Sequence, residues 1–242
     1  MIDFHAHILP GADHGSDGIK TSLHQLAQAF RVGVTDLVAT PHFYPHKHTV
    51  TDFLRRRDHA WSRLQEAWIP GEIRIRCGAE VLLCAGLERM PGIEQLCIAG
   101  TRVLLAEMPF RPLEETVLDT IYNLQYQNGL TVVLAHIDRY PEEQVEQAME
   151  TGARAQVNAD AVCALRSRFK CLRWAEQGMI SALGSDIHMR GNQYQKLEKA
   201  DRVLKRYIED IEEKAEALLW GPEGIPGLVK KEMAMSQQTV DK

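Results

Sequence analysis

Short apolar runs that stop abruptly, each followed by a helical pattern, recur along the 242-residue chain. This alternation constrains the fold more than any other feature. Ile2 and Phe4 flank Asp3 in a first predicted strand that ends in His5-Ala6-His7, and Pro10-Gly11 stops it. Thr21 to Val32 carries Leu23, Leu26, Ala27 and Phe30 on one helix face, and Gly33 ends it. Asp36 to Thr40 reads as a strand closed by Pro41 and followed at once by His42. A helix is predicted from Thr51 to Trp68, terminated by Pro70-Gly71, then a strand Ile73 to Arg76 that runs toward Glu80. Arg102 to Ala106 leads into Glu107, a helix spans Leu113 to Gln127, and Leu130 to Ala135 delivers His136. A helix follows Pro141. Ala155 to Val157 is a strand, Ala161 to Gln177 a helix, and Met179 to Leu183 leads into Gly184-Ser185-Asp186-Ile187-His188. The tail is helical from Gln195 to Leu219, and beyond Gly221 it carries little constraint.

About seven such units, with no linker or shift of composition, predict a single α/β domain over residues 1–242. A closed or distorted (β/α) barrel comes first and an open doubly wound sheet second. The second lacks a glycine-rich phosphate loop, since neither G-x-G-x-x-G nor a Walker sequence occurs. The net charge of −5 gives no footprint for nucleic acid or an anionic membrane. No run approaches the ~18 apolar residues of a membrane span, and the N-terminus has no signal-peptide layout. Five cysteines without a C-x-x-C pair read as reduced thiols of a cytoplasmic protein. Arg55-Arg56-Arg57, the one basic run, reads as a solvated helix face.

Five or more predicted strands end in a metal-type residue: His5 and His7, His42, Glu80, Glu107, His136, then Asp186 and His188. Alternate strand residues point the same way, roughly 6–7 Å apart, so His5 and His7 can converge on one ion if a third group closes the site. Each residue alone has a plainer explanation: a hydrogen-bonded histidine, a helix cap, a turn aspartate. Repetition decides against that. Imidazoles and carboxylates gathered at one end of a barrel would repel and desolvate one another unless cations held them. The set exceeds what one tetrahedral zinc needs, so two or three divalent ions are expected; nitrogen–oxygen ligation without thiolate suits manganese, iron, zinc or magnesium. Of the ten histidines, His24 and His59 within helices and His46 and His48 in a polar loop read as structural or solvated.

Asp3-Phe4-His5-Ala6-His7 with Ile8-Leu9-Pro10-Gly11, Ala39-Thr40-Pro41-His42, Gly78-Ala79-Glu80, Ala135-His136-Ile137-Asp138-Arg139-Tyr140 and Ser185-Asp186-Ile187-His188 resemble the polymerase-and-histidinol-phosphatase (PHP) superfamily. More narrowly, their order is similar to that of bacterial manganese-dependent protein-tyrosine phosphatases of capsule and exopolysaccharide operons. The resemblance implies a distorted seven-stranded β/α barrel with three metals at the carboxyl ends of its strands. It implies one ion on His5, His7, Glu80 and Asp186, a second on Glu80, Glu107 and His136, and a third on His42 and His188. The residue after Pro-Gly-x-Asp is normally a further aspartate ligand to that third ion; here it is His14. Met108-Pro109 stands where the pattern has Phe-Pro after the carboxylate.

A phosphate monoester repels nucleophiles with two negative charges, and clustered divalent ions both neutralise it and make hydroxide available near neutrality. Hydrolysis with a hydroxide shared between ions is therefore expected, with His42 and Arg139 as the catalytic side chains. Arg139 would fork onto the phosphate; Arg190 is a second candidate for that task. A tyrosine phenolate, of pKa near ~10, departs without a dedicated acid more readily than an alkoxide. The thiolate route is absent: no cysteine is followed six residues later by arginine. The resemblance also implies a tyrosine kinase of polysaccharide export as partner and substrate. The alternatives are a small-molecule phosphatase such as one for histidinol phosphate, an amidohydrolase or TatD-like nuclease, and a silent metal-binding partner. Against the hydrolase alternative, His42 and the Asp186-x-His188 pair supply a third metal position that two-metal sites do not need.

Overall fold

The five residues of the first strand are buried on both faces, as parallel strands are when helices cover them outside and a packed interior lies within. The computed structural model describes residues 1–68, 73–189 and 191–221. Among the described residues there are nine strands: β1 (Ile2–Ala6), β2 (Asp36–Ala39), β3 (His42–Phe43), β4 (Arg74–Cys77), β5 (Glu80–Leu82), β6 (Val103–Glu107), β7 (Thr131–Leu134), β8 (Arg154–Asn158) and β9 (Ile180–Gly184). All pair in parallel, in the orders β1-β2-β4 and β3-β5-β6-β7-β8-β9.

Seven passes underlie the nine strands. Proline cannot donate to a ladder, and Pro41 separates β2 from β3, while Gly78-Ala79 separates β4 from β5. Register runs through both breaks: Ala39 pairs with Cys77 and His42 with Glu80. The last pass meets the first through a parallel bridge of Ala6 to Ile187, with Asp186 N donating to His5 O at 2.8 Å and His7 N to Ile187 O at 3.2 Å. The ring is therefore closed but distorted, as expected.

Eight α-helices among the described residues lie between or after the strands: α1 (Ile19–Arg31), α2 (Val50–Ala67), α3 (Glu115–Tyr126), α4 (Glu142–Glu150), α5 (Ala159–Cys163), α6 (Leu165–Glu176), α7 (Gln193–Val203) and α8 (Ile208–Trp220). Thr49 caps α2, its hydroxyl accepting from Asp52 N at 3.1 Å. Two long predicted helices are each broken. Ala164 takes an extended conformation between α5 and α6, and a turn at Leu204 to Tyr207 separates α7 from α8. Apolar periodicity continues across both breaks, so it did not reveal them. The expected stop at Pro70-Gly71, Arg190 and the tail beyond Gly221 lie outside the described residues.

The interior is layered. Ile2, Phe4, Val38, Val103, Leu105, Val133 and Ala182 form one apolar cluster, with Ala215 and Leu219 of α8 packed into it. Trp220 of α8 lies under Arg76, whose guanidinium is 3.7 Å from the ring centre. Alternation carries the same inward face upward: Val103 and Leu105 precede Glu107 on β6. On β1 the register shifts between Asp3 and Ala6, where Ile2 and Phe4 of the apolar cluster give way to His5 and His7. Apolar side chains thus fill one end of the barrel and titratable ones the carboxyl end, where such folds keep their chemistry.

Candidate metal centre

Three groups of side chains offer ligand atoms that all lie within 4.8 Å of one another: His5, His7 and Glu80; His42, Glu80 and Glu107; and His7, His42 and His188. Glu80 is in two of them, as a bridging carboxylate must be. Its Oε2 is 3.3 Å from His5 Nε2, 3.2 Å from His7 Nε2 and 2.9 Å from His42 Nδ1. Yet that oxygen and His42 Nδ1 are buried without a hydrogen-bond partner. Glu80 Oε1 instead meets His136 Nε2 at 2.7 Å, and His136 Nε2 is 3.5 Å from Glu107 Oε1. Asp186 Oδ1 stands 3.7 Å from His5 Nε2 and 3.5 Å from His7 Nε2.

The tautomers can be argued from fixed donors. Gln156 Oε1 accepts the backbone N–H of His136 at 2.7 Å, so it is the oxygen that faces His5 Nδ1 at 3.2 Å, and Nδ1 must donate. Asp13 Oδ2 likewise receives His7 Nδ1 at 2.7 Å. Both neutral rings then present bare Nε2 lone pairs, 3.0 Å apart, with a carboxylate oxygen beside them. Lone pairs and anionic oxygens converging on one buried point repel unless a cation or extra protons sit among them. The donor set therefore fits divalent metal, His5 and His7 each being oriented by its far nitrogen in the usual manner of metal-binding histidines.

The pKa directions describe the same frustration. Burial opposes charge on His5, but Glu80 and Asp186 outweigh it and push the ring up to about 9. His7 is raised too: burial is overcome by Asp13 and Glu80. Glu80 and Asp186 lie below the usual carboxylate range despite burial, held there chiefly by His5. Glu107 is pushed up to about 7 by burial and by the charge of Glu80. His136 is lowered by burial. In the metal-free protein, protons occupy the place that cations would take.

The other expected residues gather at the rim. His188 and His42 stack on His7, with ring centres 4.1 and 4.5 Å away. His14 lies nearly parallel to His42 at 4.7 Å, and belongs to none of the three convergent groups. His7 joins His42 and His188 in the third group, and His42 joins Glu80 and Glu107 in the second; the resemblance implied neither pairing. Arg139 donates to Asp186 Oδ2, and its side chain remains 42% exposed. His136 and Asp186 both take positive φ, 34° and 49°, a strained conformation outside glycine that redirects each chain just past its strand.

Side chains that sequence reasoning passed over hold this arrangement. Asp13 accepts from His7, from His42 N at 3.0 Å and from Gly15 N at 2.8 Å. Gln156 and Asn158 alternate with apolar residues on β8, the one pass without an expected ligand; Asn158 Nδ2 donates to Asp186 Oδ2 at 2.9 Å. Asp3 accepts from Ser185 N and Oγ at 2.8 and 2.7 Å, tying β1 to the Asp186 turn. A polar residue recurring at every second position of a buried strand was the available signal. Gly184 makes the closeness possible, since a Cβ there would lie 2.6 Å from His5 Cβ and 2.7 Å from Gln156 Nε2. The basic run departs from expectation. Arg55 is exposed and pairs with Asp52 at 2.8 Å, but Arg57 is largely buried and reaches Gly78 O and Gln95 O, and Arg56 lines a cavity beside His14.

A family profile for capsular polysaccharide synthesis, CpsB/CapC, matches residues 1–221. The chain belongs to the CpsB/CapC family. It is 27% identical over 199 residues to the tyrosine-protein phosphatase YwqE of Bacillus subtilis (strain 168), covering 78% of this chain and 77% of that one. It also matches a chain from the crystal structures of YwqE from Bacillus subtilis and CpsB from Streptococcus pneumoniae, described as unique metal-dependent tyrosine phosphatases. There the TM-score is 0.72 at 25% identity, over 93% of this chain and 99% of that one. Histidinol phosphate phosphatase from Lactococcus lactis, complexed with zinc, L-histidinol and phosphate, matches with a TM-score of 0.55 over 85% and 93% of the two chains. At 12% identity that likeness is one of fold alone. For this CpsB/CapC member, no helix among the described residues is long and apolar enough to cross a membrane.

Proposed function

We propose that this CpsB/CapC member is a metal-dependent protein-tyrosine phosphatase, using manganese in the cell, with His5, His7, Glu80, Glu107, His136 and Asp186 holding the inner cations and His42, His188 and His14 the outer one. The observation that carries the reading is the convergence of unpaired donor atoms on Glu80 Oε2. Bound divalent cations would neutralise phosphoryl oxygens and lower the pKa of water toward neutrality. The chain's own contribution is placement. Arg139 keeps one arm on Asp186 and leaves its other nitrogens for a phosphoryl oxygen. Hydrolysis joins a water oxygen to phosphorus and breaks the bond to the phenolic oxygen, and a phenolate of pKa near ~10 leaves without a dedicated acid. The five cysteines are free, and burial raises every one of them, Cys77, Cys97 and Cys171 to about 12, which disfavours a thiolate nucleophile. Free thiols also suit a cytoplasmic location. The family and its named relatives support a tyrosine kinase of polysaccharide export as the substrate-bearing partner.

The test is turnover by chelated protein titrated separately with manganese, zinc, iron and magnesium, on a phosphotyrosine peptide beside histidinol phosphate. Cation-dependent release of phosphate from the peptide, lost in a folded His136→Ala variant, is expected. Stoichiometric metal without turnover, or preference for histidinol phosphate, would overturn the assignment.

A further inference from the structure

Two cavities flank the metal centre, and Tyr44 lines both. They differ in chemistry. One, of about 260 Å³, is walled by His14, Lys47, His48 and Arg56. The other, of about 330 Å³, is lined by Tyr44, Leu82, Glu107, Pro109, Phe110 and Arg111. At its inner end this second cavity touches Glu107, a member of one convergent group; its sides are aromatic or aliphatic apart from Arg111.

Phe110 is 66% exposed, yet its ring is not loose. It lies nearly parallel to His136, with centres 6.3 Å apart, and to Tyr140 at 5.2 Å. Tyr44, on the other wall, stacks on His42 at 5.3 Å and 14°. A solitary exposed phenylalanine needs no explanation. One held by stacking on buried rings at the mouth of a metal centre, on the wall of an open cavity, is placed for a ligand. A volume near the lower end for small-molecule sites, with mostly apolar sides and an end where a cation held by Glu107 would meet a phosphate, matches a flat ring carrying an anionic group.

We propose that the cavity between Tyr44 and Phe110 seats the aryl ring of the phosphoester, its phosphate directed to the Glu107 end, and that Phe110 is the specificity-determining wall. The inference rests on the phosphatase reading and adds where selectivity for aryl over alkyl phosphates arises. An alkyl phosphate would reach the same cations but leave Leu82, Pro109 and Phe110 uncovered.

Binding of phenylphosphonate and methylphosphonate to the metal-loaded protein, measured by calorimetry, separates ring from phosphoryl recognition. The native protein should favour phenylphosphonate by about tenfold or more, the order that one well-packed aromatic contact supplies. Phe110→Ala should reduce that preference to about threefold or less, leaving methylphosphonate affinity unchanged, and Phe110→Leu should fall between. With phenyl phosphate as substrate, KM should rise in Phe110→Ala while kcat holds. Equal affinities in the native protein, a preference that survives Phe110→Ala, or a loss shared equally by both phosphonates would overturn the aryl site while leaving the phosphatase intact. Absence of phosphonate binding together with absence of aryl phosphate hydrolysis would overturn both.

Discussion

The inner and outer halves of the candidate centre are built differently. Inside, three donor residues are aimed by partners, His5 by Gln156, His7 by Asp13, and Asp186 by Asn158 and Arg139, while His136 Nδ1 has none. Outside, His14, His42 and His188 lie against one another ring to ring, and the His188 side chain is 27% exposed. His14 is lowered by partial burial and then by repulsion from His42 and His188, so its place in the rim disfavours its protonation. The inner half is thus a template that exists before any cation arrives, whereas the rim is a stack of imidazoles that a cation would organise. Each experiment below separates the halves or shows that they cannot be separated.

The largest effect should come from removing metal and then raising the pH. His5, at about 9, lies above the ~6.5 of an unfolded histidine. Its contribution to stability is complete below ~6.5 and is lost as pH rises through about 9. Glu107, at about 7, acts in the same direction: its contribution is present below the unfolded carboxyl value and lost as pH rises through about 7. Glu80 and Asp186, both lowered, lose theirs only in acid. Chelated protein should therefore melt at progressively lower temperature from pH 6 to 9. Cation at about a hundredfold over its Kd should restore ~2.7 kcal/mol, or roughly 5–10 °C, most visibly at the alkaline end. Scanning calorimetry across that range decides it. A chelated protein that gains stability with pH, or ignores added cation, would contradict a template built of clashing lone pairs.

Next in size is Gln156→Leu, which keeps the side chain's bulk and removes the acceptor shared by His5 Nδ1 and His136 N. Loss of an orienting partner of this kind costs about 10–100-fold in metal affinity. The inner ions should weaken by that factor, measured by competition with a chromogenic chelator, while the rim ion is unaffected. Equal weakening of all bound metal would mean that the two halves form one unit.

Most of this template was hidden in the sequence for a physical reason. The residues that end apolar runs announce themselves, because Pro41, Pro109 and Gly184 interrupt periodicity beside His42, Glu107 and Asp186. The parallel strands and the gathering of those ends followed from strand–helix alternation alone. Gln156, Asn158 and Asp3 sit inside strands, where a polar residue reads as noise until its partners, from 2 to 182 residues away, are known. The breaks at Ala164 and before Ile208 were illegible for the opposite reason: a helix can change direction without disturbing the spacing of its apolar residues. Tyr44 and Phe110 follow β3 and β6, and only the pairing of both strands with β5 makes them walls of one cavity.

The smallest effect is expected at His14, and it sharpens the contrast most directly. The resemblance implies an aspartate there, so His14→Asp replaces a neutral ring with a carboxylate beside His42 and His188. Oxygen ligands suit manganese and magnesium, and imidazole suits zinc and copper. The rim of the variant should therefore shift by about three- to tenfold toward manganese over zinc, read from competitive metal titration. The melting temperature should stay within a degree or two, because an exposed position rarely contributes more than ~0.5 kcal/mol. The inner ions should keep their affinities, since no hydrogen bond runs from His14 to Gln156, Asn158 or Asp3 among the described residues. If selectivity does not move, His14 serves only as a stacking partner of His42 and the outer cation rests on His7, His42 and His188. If the inner affinities move with it, the rim is part of the template, and a boundary between the two halves does not exist.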